Sequence, residues 1–218
     1  MNVDGTPYRT IWLGADGWSV EIIDQTLFPH AFAMARLASL DEAAHAIRHM
    51  QVRGAPLIGV TAAYGLALAM RTDPSDDHLD TARATLFATR PTAVNLRWAL
   101  DRMANVLRPL APGERPAAAY AEASRIADED VAINQAIGRN GLELIRAAAA
   151  RKPTGVPVRI LTHCNAGWLA TVDWGTATAP IYMAHDAGIA LHIWVDETRP
   201  RNQGAALTAW ELGRHGVP

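Results

Sequence analysis

Two short apolar runs, residues 158–162 and 189–195, are each followed by a stretch of helical character, 170–187 and 205–214. That β–α–β–α order constrains this chain more than any other feature. Strands separated by a helix cannot pair as a tight hairpin, so the order predicts parallel strands and the start of a doubly wound sheet. Lys152-Pro153-Thr154-Gly155-Val156-Pro157 precedes them and reads as a linker. Two strands do not complete such a sheet, so residues 158–218 are expected to be part of a domain.

The preceding 150 residues have another texture. Over 8–23, Trp18, Val20 and Ile22 alternate with Ser19 and Glu21, and Asp16-Gly17 supplies a turn, which predicts a hairpin. Ser39-Leu40-Asp41-Glu42 has the capping-box spacing, with Ala43, Ile47 and Met50 on one face of the helix it starts. Residues 55–70 form a second helix with Pro56 in its first turn. The polar stretch 72–77 reads as a loop, and a helix follows from about Thr92 to Leu107. A long helical region to about Ala150 carries Ile126, Ile133, Ile137 and Leu144 as an apolar stripe. Gly138 and Gly141 are candidate kinks in it. The expected division is therefore 1–150, a hairpin and helical domain, and 158–218, an α/β domain.

The 218 residues are half apolar and carry a formal charge of −2, which gives no general affinity for nucleic acid or anionic membranes. Residues 55–70 fall short of the roughly 18–20 apolar residues a bilayer span needs. A single cysteine, Cys164, excludes an intramolecular disulfide and suggests a reducing compartment, so a cytoplasmic location is expected. The N-terminus lacks the basic and apolar regions of a signal peptide. No Walker loop, zinc spacing, G-x-G-x-x-G or G-x-S-x-G motif occurs, and neither metal nor organic cofactor is expected.

Chemistry concentrates in four segments. Arg53-Gly54-Ala55-Pro56 sets an arginine and a glycine before a helix start, where free N–H groups, the helix dipole and a guanidinium suit a phosphate. A solvated turn explains the same residues. Arg90-Pro91-Thr92-Ala93-Val94-Asn95 repeats the pattern, with Thr92 as a candidate N-cap. Thr162-His163-Cys164-Asn165-Ala166-Gly167 follows the first strand, on the side where open α/β sheets bind ligands. Cys164 is there either a base or nucleophile, if a cation or helix start lowers its pKa, or a small buried hydrophobe. His163 is either a proton carrier or a histidine bonded to backbone. Asp196-Glu197-Thr198-Arg199-Pro200-Arg201-Asn202-Gln203-Gly204 follows the second strand. It is either a salt-bridged surface loop or a site in which Gln203 meets sugar hydroxyls and Asp196 orients an arginine or accepts a proton. Trp168 or Trp174 can wall an apolar pocket beside the cysteine.

Taken in order, these segments resemble the methylthioribose-1-phosphate isomerases. The likeness lies in 53–59 (Arg-Gly-Ala-Pro-Leu-Ile-Gly), 90–96 (Arg-Pro-Thr-Ala-Val-Asn-Leu), 161–167 (Leu-Thr-His-Cys-Asn-Ala-Gly) and Asp196-Glu197-Thr198-Arg199-Pro200, continuing through Gln203-Gly204 to Thr208-Ala209-Trp210-Glu211-Leu212. The resemblance implies a Rossmann-like domain after the helical one, and a homodimer. It implies Arg53, Gly54, Ala55, Arg90 and Gln203 around a small phosphorylated sugar, with Cys164 at the reacting carbons. The family shares its fold with regulatory subunits of a translation-initiation exchange factor, which generally lack the Thr-His-Cys-Asn loop, and with ribose-1,5-bisphosphate isomerases.

The implied reaction converts 5-methylthioribose 1-phosphate to 5-methylthioribulose 1-phosphate. Its substrate carries phosphate on the anomeric oxygen and cannot open as a free aldose does. An acid must protonate the ring oxygen, and hydrogen must move from C2 to C1. A cysteine thiolate taking that proton is the expected route; a hydride shift in a dry apolar site is the rival. Family members are longer, reaching a Gly-x-Asp-Arg motif with the usual acid and an Asn-Lys pair beyond it. Neither lies within 1–218, so a truncated chain is expected. Isomerases of other pentose phosphates, such as ribose 1,5-bisphosphate or 5-deoxyribose 1-phosphate, and a non-catalytic regulatory subunit are the alternatives.

Overall fold

A computed structural model describes residues 1–218. Its elements run β1 (Asn2–Val3), β2 (Thr6–Pro7), β3 (Ile11–Leu13), β4 (Val20–Ile23), β5 (Met34–Leu37), α1 (Leu40–Arg48), α2 (Ala55–Thr72), α3 (Asp76–Phe87), α4 (Val94–Leu107), α5 (Arg115–Ala149), β6 (Val158–His163), α6 (Ala179–Asp186), β7 (Leu191–Asp196) and α7 (Ala209–His215). The chain is thus mixed α/β, with antiparallel strands and helices first and a parallel strand pair after them. No helix is long and apolar enough to cross a membrane.

Two compact units divide the chain: Thr10–Leu27 with Phe32–Glu129, and Met1–Arg9 with Phe28–Ala31 and Asp130–Pro218. The turn region 150–157 separates α5 from β6, whereas the compact units part inside α5.

In the first unit the expected hairpin is present as β3 and β4, Ile11 facing Ile22 and Leu13 facing Val20, with β5 added antiparallel to β4. Asp16 shapes the turn, accepting the main-chain N–H groups of Trp18 and Ser19 at 3.0 and 2.9 Å. α1 starts on Ser39, whose hydroxyl accepts the Glu42 N–H, while the Glu42 carboxylate reaches the N–H of Ala38. At its start α2 is preceded by Gly54 at φ 91°, a conformation that glycine adopts without Cβ strain. Residues 57–70 of α2 are buried throughout among α1, α3 and α4. Each fully buried leucine or isoleucine there stabilises by about 1.5–3 kcal/mol.

The N-cap of α4 is Ala93, without a side-chain bond, and not Thr92. Between 72 and 92 the chain also forms α3, where only a loop and no helix is expected. Its Ser75 cap accepts the N–H of His78, and just Leu79, Ala82 and Leu86 are buried.

The second unit holds the parallel pair, β6 and β7, in register from Val158↔Leu191 to His163↔Asp196. Its long-helix portion corrects the expected stripe. Ile133 and Leu144 are 60% and 75% exposed; the buried face is instead Val131, Asn134 and Gly138. The two glycines are contact points. A Cβ on Gly138 would stand 2.8 Å from the Met183 side chain, and one on Gly141 would overlap Pro180, so their smallness lets α5 and α6 approach closely. The expected helix over 170–187 begins only at Ala179. Trp174 and Gly175 take φ values of 73° and 78°, which no right-handed helix accommodates.

Candidate functional site

In the first unit the two arginine-bearing segments lie at helix starts. Arg53 is half-buried, and its guanidinium donates to the main-chain oxygen of Gln25 at 3.3 Å. Ala55 opens α2, and the early N–H groups of a helix have no carbonyl partner within it. Arg90 is also half-buried, and its carbonyl accepts the N–H of Ala93 to close the turn before α4. The second turn of α2 touches the first turn of α4: a Cβ on Gly59 would stand 3.0 Å from the Asn95 oxygen. Arg53, Gly54, Ala55 and Arg90 therefore belong to one end of this unit.

In the second unit the polar residues gather at the carboxyl ends of β6 and β7. His163 and Asp196 close the ladder, with Nδ1 of the imidazole 3.0 Å from a carboxylate oxygen. That bond holds the Asp196 carboxyl below its ordinary range. Cys164 is half-buried and takes φ 62°, a left-handed conformation costly for a residue with a Cβ. Its N–H donates to the Asp196 carbonyl at 3.2 Å, and its own carbonyl accepts the Thr208 hydroxyl at 2.6 Å.

Beyond β7, Glu197 accepts the N–H groups of Thr198, Gly204 and Ala205 at 2.7, 2.9 and 2.8 Å. These bonds, the one from Ala205 foremost, depress its pKa. Glu197 thus caps a turn of π-helix, Gly204–Thr208, that leads into α7. A carboxylate so engaged suits capping and not proton donation. Gln203 accepts the Thr198 hydroxyl at 2.6 Å through Oε1. Trp168 is fully buried as part of the loop's support, and Trp174 is half-buried on the same loop.

Glu211, to which no sequence motif gives a role, is 1% exposed beneath the cysteine loop. It accepts the Leu169 N–H at 2.9 Å, and burial pushes its carboxyl up to about 8. The available signal was an acidic residue set between Trp210 and Leu212 in a helix with a buried face.

The structure thus gathers Arg53, Gly54, Ala55 and Arg90 in one unit and Cys164, Gln203, His163 and Asp196 in the other. These features define an α/β protein whose polar side chains collect beyond the carboxyl ends of parallel strands, where such folds hold ligands. The chain belongs to the initiation factor 2 subunit family, whose model matches residues 51–218. It is 65% identical over 218 residues to the methylthioribose-1-phosphate isomerase of Methylocella silvestris, covering 100% of this chain and 60% of that protein. It is 67% identical to the enzyme of the same name from Rhodospirillum centenum, again over the whole chain and 58% of the relative.

Among solved structures, 5-methylthioribose 1-phosphate isomerase from Pyrococcus horikoshii superposes with a TM-score of 0.84 at 39% identity, over 97% of this chain and 58% of that one. Translation initiation factor eIF-2B subunit delta from A. fulgidus gives 0.83 at 38%, over 97% and 61%. The chain spans about three-fifths of the length of the curated relatives it matches.

Proposed function

We propose that this chain is part of an aldose–ketose isomerase converting 5-methylthioribose 1-phosphate to 5-methylthioribulose 1-phosphate in methionine salvage. The observation that carries the reading is Cys164, held in a left-handed conformation at the carboxyl end of a parallel strand, within a chain 65% identical along its whole length to a relative so named. The structural likeness to a translation factor subunit is equally close, and the cysteine loop is what favours an enzyme over a regulatory subunit.

In the proposed mechanism Arg53, Arg90 and the open N–H groups at Gly54 and Ala55 bind the phosphate. The amide of Gln203, its oxygen held by Thr198, donates to sugar hydroxyls. An acid protonates the ring oxygen and the C1–O bond of the ring breaks; the Cys164 thiolate removes the C2 proton, the resulting thiol, exchanging with solvent, delivers a proton to C1, and the C2 hydroxyl gives its proton back to the acid's conjugate base as the ketone forms. The acid is proposed to lie in the portion of the relatives that these residues do not span. The proposal extends to a hairpin and helical domain over 1–150, a Rossmann-like catalytic domain beginning at 158, and a cytoplasmic homodimer that binds no nucleic acid.

Phosphorus NMR of 5-methylthioribose 1-phosphate tests the reading, using the chain carried to the length of its relatives with Cys164→Ser alongside. Conversion abolished by the substitution is expected. No conversion, or preferential turnover of ribose 1,5-bisphosphate or 5-deoxyribose 1-phosphate, would overturn the substrate assignment. In deuterated water the proton route predicts solvent deuterium at C1; a product without label would replace it with a hydride shift.

A further inference from the structure

The loop bearing Cys164 is gripped at two points by one short segment. At its first end the Thr208 hydroxyl donates to the Cys164 carbonyl at 2.6 Å and accepts from the Asn165 amide at 3.1 Å. At its second end the Glu211 carboxylate takes the Leu169 N–H at 2.9 Å. Gly167, between them, packs so closely on that carboxylate that a Cβ would overlap it, and Gly175 closes over the Gly167 main chain. Thr208 and Glu211 are 0% and 1% exposed and three residues apart, so a helical path sets both on the loop side. Thr208 also ends the π-helical turn that Glu197 caps. A left-handed backbone at a residue with a Cβ is strained and persists only when its surroundings over-determine it. At Cys164 the bonds that do so come from Thr208, through the carbonyl, and from Asp196, through the N–H.

We propose that Thr208 and Glu211 are positioning residues for Cys164, fixing the 164–169 loop in the one conformation that aims the thiol at the reacting carbons. The aim at the sugar rests on the isomerase reading above; the fixing of the loop does not. Neither residue touches the reacting atoms. A helix that carries two such anchors ties the thiol's placement to the packing of α7 against the loop.

The test reads the thiol and the turnover separately. Iodoacetamide alkylation at Cys164 is followed by mass spectrometry of its peptide in the unsubstituted protein, carried to the length of its relatives, and in its T208V, T208S and E211Q variants. T208V removes the hydroxyl at constant shape, T208S restores it, and E211Q keeps the shape but replaces one of the two carboxyl oxygens with an amide donor. The expected result is an alkylation rate changed more than threefold in T208V and E211Q and less than threefold in T208S, with kcat for 5-methylthioribose 1-phosphate lowered at least tenfold and KM within threefold in the first two. Alkylation within threefold of the unsubstituted protein in every folded variant overturns the proposal, whatever the turnover. Altered alkylation in a protein that turns over no sugar phosphate leaves the loop assignment standing and removes the isomerase reading. If the variants do not fold, hydrogen exchange in the unsubstituted protein decides. Protection of the Leu169 amide equal to that of the strand residues is expected, and exchange at the rate of an exposed loop overturns the proposal.

Discussion

The second turn of α2 meets the first turn of α4 at Gly59 and Asn95, where a side chain on the glycine would press against main chain at 3.0 Å. Main chain cannot swing aside as a side chain can. The close approach thereby fixes how the two helix starts, with their arginines, stand to each other. Gly59→Val is expected to destabilise the protein by about 1–3 kcal/mol and to weaken phosphate binding with it. Urea denaturation and titration with inorganic phosphate measure the two; an unchanged midpoint would mean the helices separate at little cost.

Arg53 and Arg90 are proposed to meet the substrate's phosphate with charge-assisted bonds, each contributing about 1.5–3 kcal/mol. In the chain carried to the length of its relatives, Arg53→Ala and Arg90→Ala should each raise KM for 5-methylthioribose 1-phosphate roughly ten- to a hundredfold. Melting temperature should change little for Arg90→Ala and more for Arg53→Ala, because the Arg53 guanidinium also ties Gln25. Unchanged KM in both variants would remove these arginines from the site.

Glu211 makes stability depend on pH. Its carboxyl is pushed up to about 8 by burial, against an ordinary value of 4.5, with Asp173, Tyr182 and the N-terminal ammonium among the ionisable groups coupled to the same interior. The folded state therefore holds a proton that the unfolded chain releases above pH 4.5. The stabilisation is fully present below that pH, falls as pH rises, and is gone above about 8. A loss of a few kcal/mol across that window is expected. Glu211→Gln should flatten the slope, as chemical denaturation at a series of pH values would read; an equal slope in the variant would place the titrating group elsewhere.

Leu161 and Trp194 face each other across the parallel ladder, 70% and 58% exposed on the same side of the strand pair. Adjacent apolar groups in water favour association. Leu161→Thr combined with Trp194→Thr should raise the concentration at which the 218-residue chain begins to aggregate severalfold, measured by light scattering. No change would show that another surface governs association.

Much of the fold is legible in the residues themselves. Alternation over Trp18, Val20 and Ile22 and the Asp16-Gly17 turn specify the hairpin, because a strand's side chains alternate with period two and the turn is local chemistry. Ser39 and Glu42 likewise mark the start of α1, and Pro56 the start of α2, within a few residues of sequence. The β–α–β–α order after residue 157 requires parallel strands and hence places the Cys164 loop beside the Asp196–Gly204 loop.

Other features rest on contacts between distant residues. On α5 the large side chains Ile133, Ile137 and Leu144 look like a core stripe, yet the packed face is the one with the glycines, because α6 presents Ala179, Pro180 and Met183 at a separation only small residues permit. The loop after Cys164 resists reading as a helix because its φ values at Trp174 and Gly175 are set by its closure onto Gly167. Glu211 looks from sequence like any charge near a helix end. Its burial, its bond to Leu169 and its raised pKa exist only once the chain has brought α7 beneath a loop more than forty residues earlier. The sequence by itself determined the hairpin, the starts of α1 and α2 and the parallel order of β6 and β7, since these follow from local propensity and periodicity. Only the tertiary structure decided which faces are buried and which carboxyl is kept from water, since packing depends on partners that no local pattern names.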